Sequence, residues 1–228
     1  MRWRRAGHGD DRREALLSAA KPVTVVLVRH GKTPTTGKVL PGRAPGLHLS
    51  PEGRQEAGAA AESVVRLHPK IAAIYTSPME RAVETAAELA SITGMEPEPL
   101  PALIECDFGE WTGLELAKVR RKKEWRAVVL SASRFRFPGG ESLSELQARM
   151  QDAIAGWVQA YAGKTVVAYT HADPIRAMAC DALGMHLDAI HRINVHTASL
   201  TTVVAASGWM RLESLNVKFP RGERGKVG

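Results

Sequence analysis

The sequence predicts an α/β fold, a three-layer α/β/α sandwich on a mostly parallel sheet. The run from Val23 to Val28 holds five apolar residues in six, mostly β-branched, and stops abruptly at Arg29-His30-Gly31. Such runs suit strands covered on both faces, as in parallel sheets. The pattern returns in TVVAYT, residues 165–170, which ends in His171 before a helical pattern. Apolar runs and helical periodicity alternate along the rest of the chain, the βαβ rhythm of one sheet with helices on both faces.

Strands are expected near 23–28, 71–76, 164–170, 198–204 and 209–216, with helices over 51–67, 78–92, 113–127, 141–161 and 173–184. Ser50-Pro51 opens the first helix. Ser77 is the expected N-cap of the second, with Pro78 at its first position and Arg81 in its first turn. The segment 103–113 contains Gly109 and Gly113 and reads as a loop carrying Glu105. Ser142 is expected to cap the helix that follows it, since Gly does not flank it on both sides as a nucleophile elbow requires. Ser207-Gly208 makes a short link between the last two strands, which predicts a hairpin and an antiparallel edge.

A chain of 228 residues, 44% hydrophobic, suits one α/β domain over 22–216. Its formal charge of +7 resides mostly at the ends: residues 1–21 and 211–228 contribute +3 each, leaving +1 for the centre. Nucleic-acid binding is therefore disfavoured, because the excess charge marks no folded face. Residues 1–21 are expected to be a disordered or weakly helical basic extension, and 217–228 a loose basic tail. The N-terminus has no apolar h-region and no run reaches ~20 apolar residues, so neither secretion nor a membrane is expected. Cys106 and Cys180 lack metal or redox spacing and suit a reducing cytoplasm, Cys106 as an inert buried thiol. His48, His68, His186, His191 and His196 are read as surface or core residues. Nothing in the pattern reports an oligomeric state.

In open α/β sheets, ligands bind beyond the carboxyl ends of the strands, where helix N-termini offer free N–H groups. Arg29, His30 and His171 fall at that edge, Arg81 opens a helix there, and Glu105 supplies a carboxylate. Two histidines and a carboxylate also form a metal-ligand set. Arg29 and Arg81 beside them favour an anion over a dication, so no metal is expected.

Five ordered segments resemble the histidine phosphatase superfamily, the phosphoglycerate-mutase-like enzymes, between about Val23 and Val204. They are RHG at Arg29-His30-Gly31, S-P-x-x-R-x-x-x-T-A from Ser77 to Ala86, E-x-x-F-G-x-W-x-G from Glu105 to Gly113, PGGES from Pro138 to Ser142, and His171 followed by Pro174-Ile175-Arg176. The resemblance implies a phosphoglycerate-mutase-like fold and phosphoryl transfer without a cofactor. In that scheme His30 is the nucleophile that becomes phosphohistidine, Glu105 the general acid and base, and His171 a further donor, while Arg29 and Arg81 bind phosphate. The expected partners are a small phosphorylated metabolite and inorganic phosphate.

The chain departs from the family pattern after RHG, where Lys32-Thr33-Pro34-Thr35-Thr36 replaces the usual Glu-Thr and a later Asn. Thr36 is expected to take the asparagine's place as a weaker phosphate donor. Ala172 follows His171 where glycine is usual, and would be strained if φ were positive. Trp111-Thr112-Gly113 stands for the usual Trp-Glu-Gly. Mutases of the family resemble one another in RHGES and in a long insertion before the second histidine, whereas here only 66 positions separate Glu105 from His171. A phosphomonoester hydrolase is therefore expected, with a phosphoglycerate mutase or other phosphomutase, or a non-catalytic phospho-ligand-binding relative, as alternatives. The basic run 118–129 reads as a solvated helical face. The sharper expectation is that it belongs to a cap-like segment, about 114–140, which attracts acidic substrates through charges such as Arg121 and Lys122.

Overall fold

The computed structural model describes residues 21–218. Residues 1–20 and 219–228, which hold the expected extension and nearly all of the tail, lie outside the described residues. Val217 closes the last strand and Lys218 pairs with Glu56 at 2.8 Å.

Six strands form one sheet in the order β3-β2-β4-β1-β5-β6. They are β1 (Val23–Arg29), β2 (Ile71–Thr76), β3 (Glu98–Pro99), β4 (Thr165–Thr170), β5 (Leu200–Ala206) and β6 (Trp209–Val217). The pairs β1/β4, β4/β2 and β2/β3 are parallel, whereas β5 runs antiparallel to both β1 and β6, so the last two strands form the expected hairpin at one edge. The two-residue β3 has no counterpart in the expectation; with Glu98 and Pro99 as its content, no apolar pattern marks it.

Alternate side chains of the central strands enter two cores. Val23, Val25, Leu27, Val166 and Ala168 join one cluster, and Val26, Val28, Val167 and Tyr169 the other. Helices α1 (Pro51–Leu67) and α2 (Glu80–Thr93) cover the second face. Helices α5 (Leu143–Ala160) and α6 (Ala172–Ala182) cover the first, together with the intervening short helices α3 (Leu116–Val119) and α4 (Trp125–Leu130). This is the expected three-layer sandwich. Among the described residues no helix is long and apolar enough to cross a membrane.

The local caps explain most boundaries. Ser50 Oγ accepts from Gly53 N at 3.0 Å and starts α1. Ser142 and Glu145 form a reciprocal capping box on α5. The start of α2 differs from expectation: its N-cap is Met79, with no side-chain cap, and Pro78 lies before the helix. Ser77 is diverted because its hydroxyl faces His171 and accepts Met79 N–H at 3.3 Å. The helix expected over 113–127 is also replaced, by α3, turns and α4. Gly113, at φ +82°, donates to Leu40 O while Leu114 O accepts from Leu40 N and Leu116 N donates to Lys38 O, and four successive cations at 120–123 oppose a continuous helical turn.

The loop after His30 is held by close backbone packing. A Cβ on Gly31 would lie 2.4 Å from Gly53 O, and one on Gly53 only 1.9 Å from Lys32 O. Gly31 N donates to Thr85 Oγ1 at 3.0 Å and Lys32 N to Glu56 Oε2 at 3.0 Å, which seats the RHG turn against α1 and α2.

Candidate active site

Neighbouring parallel strands bring the two histidines together. Arg29 is in register with Thr170, and His30 N donates to Thr170 O at 2.9 Å, so the residues that follow β1 and β4 emerge side by side. The His30 and His171 rings lie with centroids 5.2 Å apart, tilted by 59°, and both side chains are buried.

Hydrogen bonding assigns the His30 ring. Nδ1 lies 2.7 Å from Gly31 O. A carbonyl can only accept, so Nδ1 carries the proton and Nε2 keeps the lone pair. Burial, reinforced by the charges of Arg29 and Arg81, holds the imidazole well below its usual pKa and therefore neutral near pH 7. His171 is depressed in the same way, first by burial and then by Arg81, His30 and Arg29. Its Nε2 meets Ser77 Oγ at 2.7 Å, while its Nδ1 is buried without a partner.

The guanidinium groups are equally underused. Arg81 is fully buried and donates from Nη2 to Gly42 O at 2.8 Å, yet its Nε and Nη1 have no partner. Arg29 donates from Nη1 to Val195 O at 2.6 Å and leaves Nε unpaired. Native proteins rarely leave buried donors unmatched. Arg29 Nε, Arg81 Nε and Nη1, and His171 Nδ1 are therefore a set of hydrogen-bonding atoms suited to an anion. Glu105 shares their surroundings, its charge attracting both arginines. Its own pKa is pushed up to about 7, by burial first and then by the nearby Asp173 carboxylate.

The histidine phosphatase superfamily (branch 1) matches residues 25–218. The chain belongs to that superfamily. A phosphoserine phosphatase of Hydrogenobacter thermophilus is 30% identical over 206 residues, which cover 88% of this chain and 95% of that one. A mycobacterial glucosyl-3-phosphoglycerate phosphatase, solved with VO3, superposes with a TM-score of 0.77 at 27% identity, covering 86% of this chain and 99% of that structure. A 2,3-bisphosphoglycerate-dependent phosphoglycerate mutase of Bartonella henselae is 31% identical over 182 residues, 73% of this chain and 84% of that one. The chain spans about half the length of some mycobacterial relatives it matches. These likenesses place it on the phosphatase branch of the histidine phosphatases.

In this histidine phosphatase the Glu105 loop is clamped from behind. Its carbonyl accepts from Arg43 Nε at 3.0 Å and Arg149 Nη2 at 3.3 Å, and both arginines share Glu141 Oε1, at 3.0 and 2.9 Å. Glu141 also accepts Asp107 N–H at 3.0 Å. PGGES thus supports the Glu105 segment from behind. Arg43 lies in an irregular loop and had no sequence signal.

The other expectations resolve as follows. Thr36 Oγ1 accepts from Thr33 N at 2.9 Å and meets Thr33 Oγ1 at 2.9 Å, so its hydroxyl is engaged within its own turn. Ala172 is the first residue of α6 and has no positive φ, so alanine is unstrained there. Cys106 is buried with its thiol pushed far up, which leaves no nucleophilic thiolate near pH 7. Among the described residues no three His, Cys, Asp or Glu are grouped to hold an ion. Of the basic run, Arg120 lines the cavity beside α6, whereas Lys122 lies over the Trp111 ring at 5.6 Å. Sequence reasoning missed Ser77 as the partner of His171, Asp173 as the neighbour of Glu105, and the Gly42 and Val195 carbonyls that aim the arginines.

Proposed function

We propose that the protein is a metal-independent phosphomonoester hydrolase that works through a phosphohistidine at His30 on a small phosphorylated metabolite. The observation that carries this reading is a neutral imidazole with its Nε2 lone pair uncommitted, set among four buried nitrogen atoms that lack partners. Nε2 attacks phosphorus and the P–O bond to the leaving group breaks. Protonated Glu105 gives its proton to the departing oxygen, releasing an alcohol. Water then attacks phosphorus, Glu105 takes the proton, the P–N bond breaks, and phosphate leaves with His30 neutral again. Arg29 and Arg81 bind the phosphoryl oxygens by charge-assisted hydrogen bonds. Ser77, already accepting from Met79, donates its O–H as a hydrogen bond to His171 Nε2, so that Nδ1 carries the imidazole proton and Nδ1–H faces the phosphoryl group. Thr36, with Thr33, shapes the turn at the mouth. The phosphoserine and glucosyl-3-phosphoglycerate phosphatases act on phosphomonoesters by name, which supports this class of substrate. Buried free thiols at Cys106 and Cys180 suit a reducing cytoplasm.

The deciding experiment is a panel of phosphomonoesters assayed for phosphate release in the presence of EDTA, with rapid acid and alkaline quenches of labelled substrate. Phosphate release and an acid-labile, alkali-stable label on the protein are expected. Interconversion of 2- and 3-phosphoglycerate without phosphate release would favour the mutase, and ligand binding without turnover the non-catalytic relative.

The pH profile follows from Glu105. As an acid it must be protonated, so kcat/KM should fall as pH rises through about 7. Asp173 raises that pKa, so Asp173→Asn should move the alkaline limb to lower pH. A limb that stays in place, or moves up, would remove Glu105 from the acid's role.

A further inference from the structure

A cavity of about 280 Å³ lies under the cap-like segment, and none of Arg29, His30, Arg81 or His171 lines it. Its walls are Phe108, Leu116, Trp125, Val129 and Phe137, with Asp173 and Arg176 on one side. Three of its edges adjoin the site. Phe108 lies three residues beyond Glu105, Asp173 two beyond His171, and Leu40, also in the wall, two before Gly42, whose carbonyl aims Arg81. In space, Phe108 packs at Gly42, where an added Cβ would lie 3.1 Å from its ring, and Asp173 is close enough to Glu105 to act on its charge, so the cavity adjoins the site on the side of the acid.

We propose that this cavity is the leaving-group subsite and that it selects phosphomonoesters whose alcohol carries a bulky apolar, ring-bearing body. The inference rests on the phosphohydrolase reading and specifies its substrate class. A void of about 150 Å³ lined by apolar side chains holds benzene, so this one accommodates a bicyclic ring or a ring with a short chain. Its lining is dominated by aromatic and aliphatic side chains, which reward apolar surface and give a polar amino-acid or sugar alcohol few partners. Of the polar lining, Arg176 donates from Nη1 to Asp173 at 2.8 Å and from Nε to Ile193 O at 2.9 Å, His191 Nε2 meets Val128 O at 3.1 Å, and Arg120 stands at the exposed rim. The nearness of Asp173 to Glu105, visible in the raised carboxyl pKa, agrees with the same placement.

The test compares 2-(2-naphthyl)ethyl phosphate with ethyl phosphate, since both release primary alcohols and differ only in what would fill the cavity. The wild-type kcat/KM should favour the naphthyl ester by about 10-fold or more. Val129→Trp and, separately, Leu116→Trp fill the cavity from half-buried positions, and each should erase most of that preference while ethyl phosphate changes by less than about 2-fold. Equal wild-type turnover of both esters overturns the subsite alone, as does a folded tryptophan variant that keeps the preference. Hydrolysis of neither ester, nor of any panel compound, overturns the phosphatase reading and this inference with it.

Discussion

His30→Ala should lower kcat on the order of 10⁴-fold or more while leaving phosphate affinity within a few-fold of the parent, read by steady-state assay and by equilibrium binding of inorganic phosphate. The split follows from what the side chain touches. His30 Nδ1 is spent on Gly31 O, so the ring reaches the ligand through an Nε2 that has a lone pair and no proton. A neutral acceptor contributes little to holding an anion but everything to attack on phosphorus, and loss of a covalent nucleophile costs factors of this order in other hydrolases. The unpartnered nitrogens of Arg29, Arg81 and His171, proposed to hold phosphate, remain in the variant. The quench experiment on His30→Ala should yield no labelled protein. Equal losses in kcat and in phosphate affinity would assign His30 to binding, and unchanged turnover would remove it from the chemistry.

Much of the fold was legible because it rests on signals that act locally. The β1 and β4 runs are apolar on both faces, and both strands lie in the middle of the sheet with their side chains divided between two cores. Ser50 and Ser142 read as helix caps and serve as such, since each needs only the N–H groups two or three residues on. The failures have a common physical cause in tertiary demand. Ser77 has the residue type and the following proline of a cap, but its hydroxyl is claimed by His171, 94 residues away, and α2 starts later. The helix expected from 113 to 127 loses to pairing with the 38–40 strip, a contact that no periodicity within the segment announces.

The same division holds for the candidate site. Arg29, His30, Arg81, Glu105 and His171 stand in ordered motifs, and the structure brings them into one cluster in which all but the partly buried Arg29 are buried. What surrounds them was not legible. The groups that aim the arginines are backbone carbonyls of Gly42 and Val195, which have no side-chain identity to read. Asp173 and Arg43 are ordinary charged residues in sequence, and only the folded chain puts one beside Glu105 and the other on its carbonyl. Thr36 is expected as a donor by position, and the fold adds what the sequence does not show, that its Oγ1 accepts Thr33 N–H within the same turn.

Arg81→Met should make the protein more stable and nearly inactive. Arg81 is fully buried, has one hydrogen bond for its five N–H groups, and sits with Arg29 in the same low-dielectric region. Burial alone pulls its pKa down, which means that the folded state disfavours the charge it holds. Replacing a buried charged group by an apolar side chain of similar volume is commonly neutral or stabilising by about 1–4 kcal/mol. Against this stands the lost hydrogen bond to Gly42 O, about 1 kcal/mol. The balance, about 0–3 kcal/mol in favour of the variant, corresponds to a Tm increase of up to about 12 °C for a chain of this size. Activity should move the other way, with kcat/KM falling about 10³- to 10⁵-fold, the range for arginines that neutralise a transferring phosphoryl group. Ligand should reverse the order of stability. Phosphate at 100 times its Kd adds about 2.7 kcal/mol to a folded state that binds it, so the wild type should gain several degrees in saturating phosphate and Arg81→Met almost none. A lower Tm for the variant without phosphate would mean that Arg81 holds the fold together, and an equal phosphate-induced rise in both proteins would mean that the anion binds elsewhere.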